Sequence, residues 1–305
     1  MASVSIIMNV RDGAAYLREA LDSVISQTFT DWELIVWDDC SEDDSARIVA
    51  EYLDDRIHYF LSPEDTPLGR ARHLAVQHAR GEWLAFLDQD DIWLPHKLEK
   101  QMTLIGDQPG NRVGIVYGRT VAFRANGGER DWDHWHEFGP LPEGDIFIEL
   151  FTNSGFIAMS SAMLRRSAYD EIGGIPNEFQ VVPDYHLFLA IARLYKARVV
   201  QETVCRYRLH PASMSGSSRR RIAEEALCLF ERWAHCVDPR LVARRQRTYH
   251  TLLALEEMGQ RGSAGHGIAR LLSRGSVSYL LSRPFARVYR AIRRKVRRPY
   301  WKQWR

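Results

Sequence analysis

The sequence predicts an α/β fold, a mixed and mainly parallel sheet flanked by helices, with a helical appendage toward the carboxyl end. Three observations predict it. Short apolar, β-branched runs alternate with segments of helical period between Val4 and Leu87, which is the pattern of βαβ units. Three of those runs stop abruptly: Val4–Met8 at Asn9-Val10-Arg11-Asp12, Trp32–Trp37 at Asp38-Asp39, and Trp83–Leu87 at Asp88-Gln89-Asp90-Asp91. In a parallel sheet all strand ends point one way, so these residues converge on one rim, where open α/β folds take ligands. Beyond residue 217 the apolar residues recur at helical spacing, with Ile222, Ala226, Leu229, Phe230 and Trp233 on one stripe.

Taken in order, Val4–Met8 is the first strand, and Asp12 in the turn after it is a candidate helix N-cap. Leu17, Ala20, Leu21, Val24 and Ile25 then share a helix face. Trp32–Trp37 is the second strand; Ser41 with Asp44 gives a capping-box-like start to a helix carrying Ile48, Val49, Tyr52 and Leu53. Ile57–Leu61 is the third strand, and Leu68–His73 opens a helix with Ala71, Leu74, Ala75, His78 and Ala79 inward. Trp83–Leu87 is short and lies between Gly81 and Pro95, so it reads as a fully buried strand. Val113–Tyr117 is a further strand. Residues 124–145 read as an exposed loop, whose Trp132-Asp133-His134-Trp135-His136 cluster stacks either on a sugar or on itself. Phe147–Phe151 and Ile157–Leu164 resume apolar structure, and Gly173-Gly174-Ile175-Pro176 is a turn. Pro183-Asp184 leads into a helix with Leu187, Ala190, Ile191 and Leu194 inward, and Val199-Val200 and Val204–Leu209 read as two strands.

A chain of 305 residues fits one large domain with an appendage. The expected division is 1–216 for the α/β domain, 217–282 for the helical appendage and 283–305 for a basic amphipathic tail. Hydrophobic content of 45% and charged content of 26% are those of a soluble globular protein. The net charge of +2 hides an asymmetry, because Arg283–Arg305 holds ten Lys/Arg and no Asp/Glu. There Phe285, Val288, Tyr289 and Ile292 alternate with arginines, and Trp301 and Trp304 follow. That suits a membrane surface, where each cation near an anionic leaflet contributes about 1 kcal/mol; a solvated or partner-bound helix is the alternative. Basic runs also bind phosphate backbones, but no nucleic-acid motif accompanies this one, so nucleic acid is not an expected partner. Four cysteines without a CxxC pair point to a reducing cytoplasm. No apolar run approaches the ~18 residues of a membrane span, and a strand begins at once, so no signal peptide is expected.

Three carboxylates within four positions at the end of a buried strand repel one another, and a divalent cation relieves the repulsion. Hard oxygen ligands suit Mg2+ or Mn2+. The alternative is an acidic turn capping the next helix.

At this point the pattern resembles the family 2 glycosyltransferases of the GT-A fold, from about residue 3 to about residue 216. Four pieces carry the resemblance in order: Ser5–Arg11 with Tyr16-Leu17, Ala20-Leu21 and Gln27-Thr28; Glu33–Ser41; Gly69, Ala71-Arg72 and Ala79–Glu82; and Leu87–Trp93, which contains the DxD motif Asp88-Gln89-Asp90. Gly173-Gly174, Pro183-Asp184 and Tyr207–Ser213 extend it. Departures are Met8-Asn9-Val10-Arg11 where the family often has Pro and Asn, His73 for the usual Asn, Cys40 for a small residue, and Pro183 for the usual Glu.

The resemblance implies roles. Asn9 and Arg11 lie on the loop that meets the nucleotide sugar. Asp38 and Asp39 lie near the nucleoside, since a carboxylate is acceptor-only and suits an imide N–H or ribose hydroxyls; helix capping is the alternative. Arg72 offers a planar fork to a pyrophosphate. Asp88 contacts ribose, Asp90 is a direct metal ligand, and Asp91 holds the donor sugar or caps the helix. Asp184 is the base that takes the acceptor's proton, with helix capping compatible. His210 is a further metal ligand or a phosphate contact.

The implied activity is that of an inverting, metal-dependent enzyme. It moves a sugar from a nucleotide-sugar donor to a saccharide or lipid-linked acceptor in bacterial surface polysaccharide biosynthesis, in the cytoplasm and peripheral at the inner membrane face. Two rivals are a sugar nucleotidyltransferase, whose glycine-rich first loop is missing at Asn9–Gly13, and a non-catalytic membrane-attached scaffold, against which the intact acidic cluster speaks.

Overall fold

Val4–Val10, Trp32–Asp38 and Trp83–Phe86 are short apolar runs that fold into buried strands. The computed structural model describes residues 2–105, 112–124, 128–131, 140–153, 155–176, 179–210 and 219–259. The order is β1 (Val4–Val10), α1 (Leu17–Ile25), β2 (Trp32–Asp38), α2 (Ser45–Ala50), β3 (Ile57–Leu61), α3 (Leu68–Gln77), β4 (Trp83–Phe86), β5 (Ile92–Trp93) and α4 (Lys97–Ile105). Then come β6 (Val113–Phe123), β7 (Glu129–Asp131), α5 (Phe147–Thr152), β8 (Met163–Arg165), α6 (Arg166–Glu171), α7 (Pro183–Leu194) and β9 (Lys196–Arg208). The chain divides into two compact units, Met1–Met214 and Ser215–Arg305.

The sheet runs β3-β2-β1-β4-β8-β6-β9-β5, with β7 on β6. β3, β2, β1 and β4 are parallel, β8 is antiparallel to both neighbours, and β9 is parallel to β6. The predicted mixed, mainly parallel sheet is therefore present. Val4, Ile6, Met8, Leu34 and Val36 meet Leu17, Leu21, Val24, Ile48 and Val49 in one buried cluster. Each such side chain contributes about 1.5–3 kcal/mol on burial.

Local differences from the sequence expectations have physical causes. Val199-Val200 and Val204–Leu209 belong to one strand, β9. Its polar middle, Gln201–Thr203, is taken up by a register shift that pairs Gly118 with Val200 but Arg119 with Thr203. Neither Asp12 nor Ser41 starts a helix, because α1 begins at Leu17 and α2 at Ser45. Their polar groups tie two loops together instead. Asp12 N–H donates to Ser41 Oγ at 3.1 Å, Gly13 N–H to Ser45 Oγ at 2.9 Å, Ala14 N–H to Asp43 at 2.8 Å, and Glu42 N–H to Asp12 at 2.9 Å.

In the second unit, α8 (Arg219–Trp233) and α9 (Pro239–Gly259) follow one another. Phe230 meets Tyr249 edge-on at 5.2 Å, under the Arg245 guanidinium. The expected tail at 283–305, the Trp132–His136 cluster and Pro211–Ser213 lie outside the described residues.

Candidate active site

The carboxyl ends of β1, β2 and β4 form one rim. β1 and β2 are in register, Val10 beside Asp38, and Asp39 N–H donates to Val10 carbonyl at 2.8 Å. Cys40 then takes a left-handed conformation, φ 61°, which turns the chain away. Asp38 accepts from Ser41 N–H at 2.8 Å and Tyr59 hydroxyl at 2.7 Å. Asp39 accepts from Thr66 N–H at 3.2 Å and Thr66 Oγ1 at 3.0 Å, and Arg11 Nη1 lies 3.7 Å away. The side-chain amide of Asn9 is buried, and neither its nitrogen nor its oxygen has a hydrogen-bond partner among the described residues.

The loop after β4 joins this strip through Gln89. Its oxygen accepts from Arg11 N–H at 2.8 Å and its nitrogen donates to Arg11 carbonyl at 2.9 Å. Gly13 makes the approach possible, since a Cβ there would lie 2.5 Å from Gln89 Oε1. Asp88 pairs with the buried guanidinium of Arg72 on α3. Burial alone would lower the Arg72 pKa, but Asp88, Asp184 and Asp90 outweigh it and raise it. One buried cation thus sits in the field of all three carboxylates.

Asp90 accepts from His210 Nε2 at 2.8 Å, and the His210 ring lies 4.8 Å from that of Tyr16. Burial, then Asp88, pushes the Asp90 pKa up, while His210 opposes this. Asp91 is fully buried; Ser160 hydroxyl donates to it at 2.6 Å and Arg208 N–H at 2.9 Å. Its oxygens meet protein donors, and it does not cap α4, which begins six positions on at Lys97. Asp184 lies in the first turn of α7 behind Pro183 and accepts from Tyr185 N–H at 2.8 Å; the N-cap is Val182. Burial raises the Asp184 pKa, Arg72 lowers it and Asp88 raises it, the net effect being upward.

Asp88, Asp90, Asp184, Arg72 and His210 are therefore brought together, and Asn9, Arg11, Asp38 and Asp39 continue the same strip. Arg208, Ser160, Gln89 and Thr66 were not singled out from sequence. Arg208 Nε donates to Asp90 carbonyl at 2.8 Å; it stands in the Tyr207–His210 run, and that adjacency was the available signal. Ser160 and Thr66 stand in no motif.

Among the described residues no group of three or more His, Cys, Asp or Glu is arranged to hold a metal. Asp90 with His210 is a smaller donor set, with Asp88 close enough to repel Asp90. Its carboxylate suits Mg2+ or Mn2+, which are bound through one or two carboxylates plus substrate phosphates and water.

Fold and rim together define a GT-A type α/β protein. Residues 5–173, more than half of the chain, match the family described as "Glycosyl transferase family 2", and the chain belongs to that family. It is 29% identical over 218 residues to Escherichia coli WfgD, a UDP-Glc:alpha-D-GlcNAc-diphosphoundecaprenol beta-1,3-glucosyltransferase, covering 70% of this chain and 80% of that one. It is 29% identical over 220 residues to the putative teichuronic acid biosynthesis glycosyltransferase TuaG of Bacillus subtilis, covering 70% and 82%. It spans only about a third (35%) of an uncharacterized glycosyltransferase of Rickettsia felis, at 29% identity over 71% of this chain. Among solved structures, the mannosyltransferase PcManGT from Pyrobaculum calidifontis in complex with GDP-Man and Mn2+ superposes with a TM-score of 0.62 at 19% identity, over 96% of this chain and 84% of that one. S. aureus TarS with UDP-GlcNAc gives 0.60 at 16%, over 90% and 73%.

Proposed function

We propose that this chain is an inverting glycosyltransferase that moves a sugar from a nucleoside-diphosphate sugar to a lipid-linked or saccharide acceptor in surface polysaccharide biosynthesis. The observation that carries the reading is the convergence of Asp88, Asp90 and Asp184 around the buried Arg72 at the carboxyl ends of parallel strands. Folding alone does not favour three carboxylates there.

Asp90 and His210 would hold Mn2+ or Mg2+, with Asp88 beside them. Bound there, the cation acts as a Lewis acid on the diphosphate leaving group. Asn9, Arg11, Asp38 and Asp39 form the nucleoside end, where the Asn9 amide has a donor and an acceptor to offer. Arg72 faces the diphosphate from α3 and holds Asp88 in place. Asp184 takes the proton of the acceptor hydroxyl as that oxygen attacks the anomeric carbon, and configuration inverts. Burial suits Asp184 to this task, because a carboxylate with a raised pKa is a stronger base.

The names of two relatives support the setting: one joins a UDP-linked sugar to a diphosphoundecaprenol acceptor, the other belongs to teichuronic acid biosynthesis. No helix among the described residues is long and apolar enough to cross a membrane. Peripheral attachment at the inner face would rest on the basic run 283–305.

The test is Asp184→Ala and Asp90→Ala, with donors first chosen by Mn2+-dependent thermal stabilisation. Both variants should lose transfer by at least about 10²–10³-fold, and Asp184→Ala should keep nucleoside diphosphate binding. Near-normal turnover by Asp184→Ala would remove it as the base.

A further inference from the structure

The ladder between β4 and β8 ends three positions short of the acidic loop. Ala85 pairs with Met163, so an extended register would set Asp88 opposite Ser160. The backbone does not continue; Met159–Ser161 coils into a single 3-10 turn. The Ser160 hydroxyl takes the place of the missing ladder acceptor, receiving Asp88 N–H at 3.2 Å. The same hydroxyl donates a hydrogen bond to Asp91 Oδ2 at 2.6 Å, while Arg208 N–H donates to Asp91 Oδ1 at 2.9 Å. One hydroxyl thereby ties the first and last residues of the acidic loop.

The turn that carries Ser160 is itself locked. Trp93 Nε1 donates to Ser160 carbonyl at 2.6 Å, and Gln101 Nε2 donates to Ser161 carbonyl at 2.8 Å. Lys97 holds Gln101 Oε1 at 2.7 Å from over the Trp93 ring. Ser160 is 1% exposed, Ser161 and Gln101 0%. So much buried polar contact has a purpose if the position of the loop matters, because each group must be fully satisfied to be tolerated.

We infer that Ser160 is a positioning residue for the cation and diphosphate site. It fixes Asp88 and Asp90 by clamping the loop at Asp88 N–H and Asp91, and Trp93 and Gln101 hold it in register. The inference rests on the reading of Asp88 and Asp90 as the side chains that meet the cation and diphosphate. Partners that orient ligating side chains carry effects of 10–100-fold on metal affinity.

The experiment is calorimetric titration of the full chain with Mn2+, then with UDP and with GDP at fixed Mn2+, alongside thermal melting. Ser160→Ala should weaken Mn2+-dependent nucleoside diphosphate binding by roughly 10–100-fold, and Ser160→Thr, which keeps the hydroxyl, should recover most of it. Trp93→Phe keeps an aromatic side chain, though a smaller one, and loses the bond to Ser160 carbonyl, and it should give a smaller loss in the same direction; it also serves if Ser160→Ala does not fold. Parental affinity in both Ser160→Ala and Trp93→Phe, with only a lowered Tm, would overturn the positioning role and leave the proposed activity standing. No Mn2+-dependent binding by the parental chain would overturn both.

Discussion

Opposite ends of one sheet bury carboxylates and treat them in opposite ways. At the amino end of β2, Glu33 is 5% exposed. It accepts from Ser5 Oγ at 2.6 Å, Arg80 N–H at 2.6 Å and Arg80 Nε at 3.1 Å. Burial would raise its pKa, but these donors win and hold it below the ordinary glutamate range. Gly81 closes the joint, since a Cβ there would lie 2.6 Å from Ser5 N. At the carboxyl end, Asp91 is fully buried and Asp90 and Asp184 are half-buried, yet lost hydration and neighbouring negative charge push all three upward. Burial is common to both ends; the balance of donors against like charges separates a structural joint from a site that waits for a cation.

The comparison breaks most visibly if two substitutions fail to dissociate. Glu33→Gln should cost about 2–3 kcal/mol of stability, by leaving buried donors without a charged acceptor, with turnover per folded molecule unchanged. Asp90→Ala should abolish transfer and leave Tm level or higher, because a like-charge contact is relieved. Melting curves beside initial rates decide it, and a Glu33→Gln enzyme that is stable but inactive would erase the distinction.

A pH profile sharpens the carboxyl end. Asp184 as base works deprotonated, so kcat/KM falls as pH drops through its pKa, and the raised value places that fall above the usual aspartate range. Arg72 holds this pKa down. Arg72→Gln should therefore move the acid limb to higher pH. A limb that stays put or moves lower would speak against Asp184.

A further effect concerns Lys97, 0% exposed on α4 and pushed down to about 7 by burial. A folded-state pKa below the ordinary lysine value means that the unfolded chain binds more protons between pH 7 and about 10.5. Stability should rise with pH across that window, and Lys97→Met should flatten the slope. Denaturant midpoints at pH 6, 8 and 10 would show it.

The sheet and its acidic rim were legible in the sequence because their signals are local. Apolar runs that end in carboxylates report both a strand and its orientation. Helix starts were less legible: Asp12 and Ser41 carry the right chemistry for caps, but they spend it across the β1 and β2 loops. Asp91 resembled its neighbours in sequence and differs from them only through partners at positions 160 and 208. Ser160 depends on an antiparallel register that no spacing encodes. Arg208 was visible as part of a run, but not as the group that grips the Asp90 carbonyl.

The most direct measurement is titration of UDP and of GDP into the parental chain, Asp90→Ala and Glu33→Gln, with and without Mn2+. The account expects tight binding by the parental chain and Glu33→Gln only when Mn2+ is present, and at least about tenfold weaker binding by Asp90→Ala. Equal, Mn2+-independent affinity in all three proteins would contradict it.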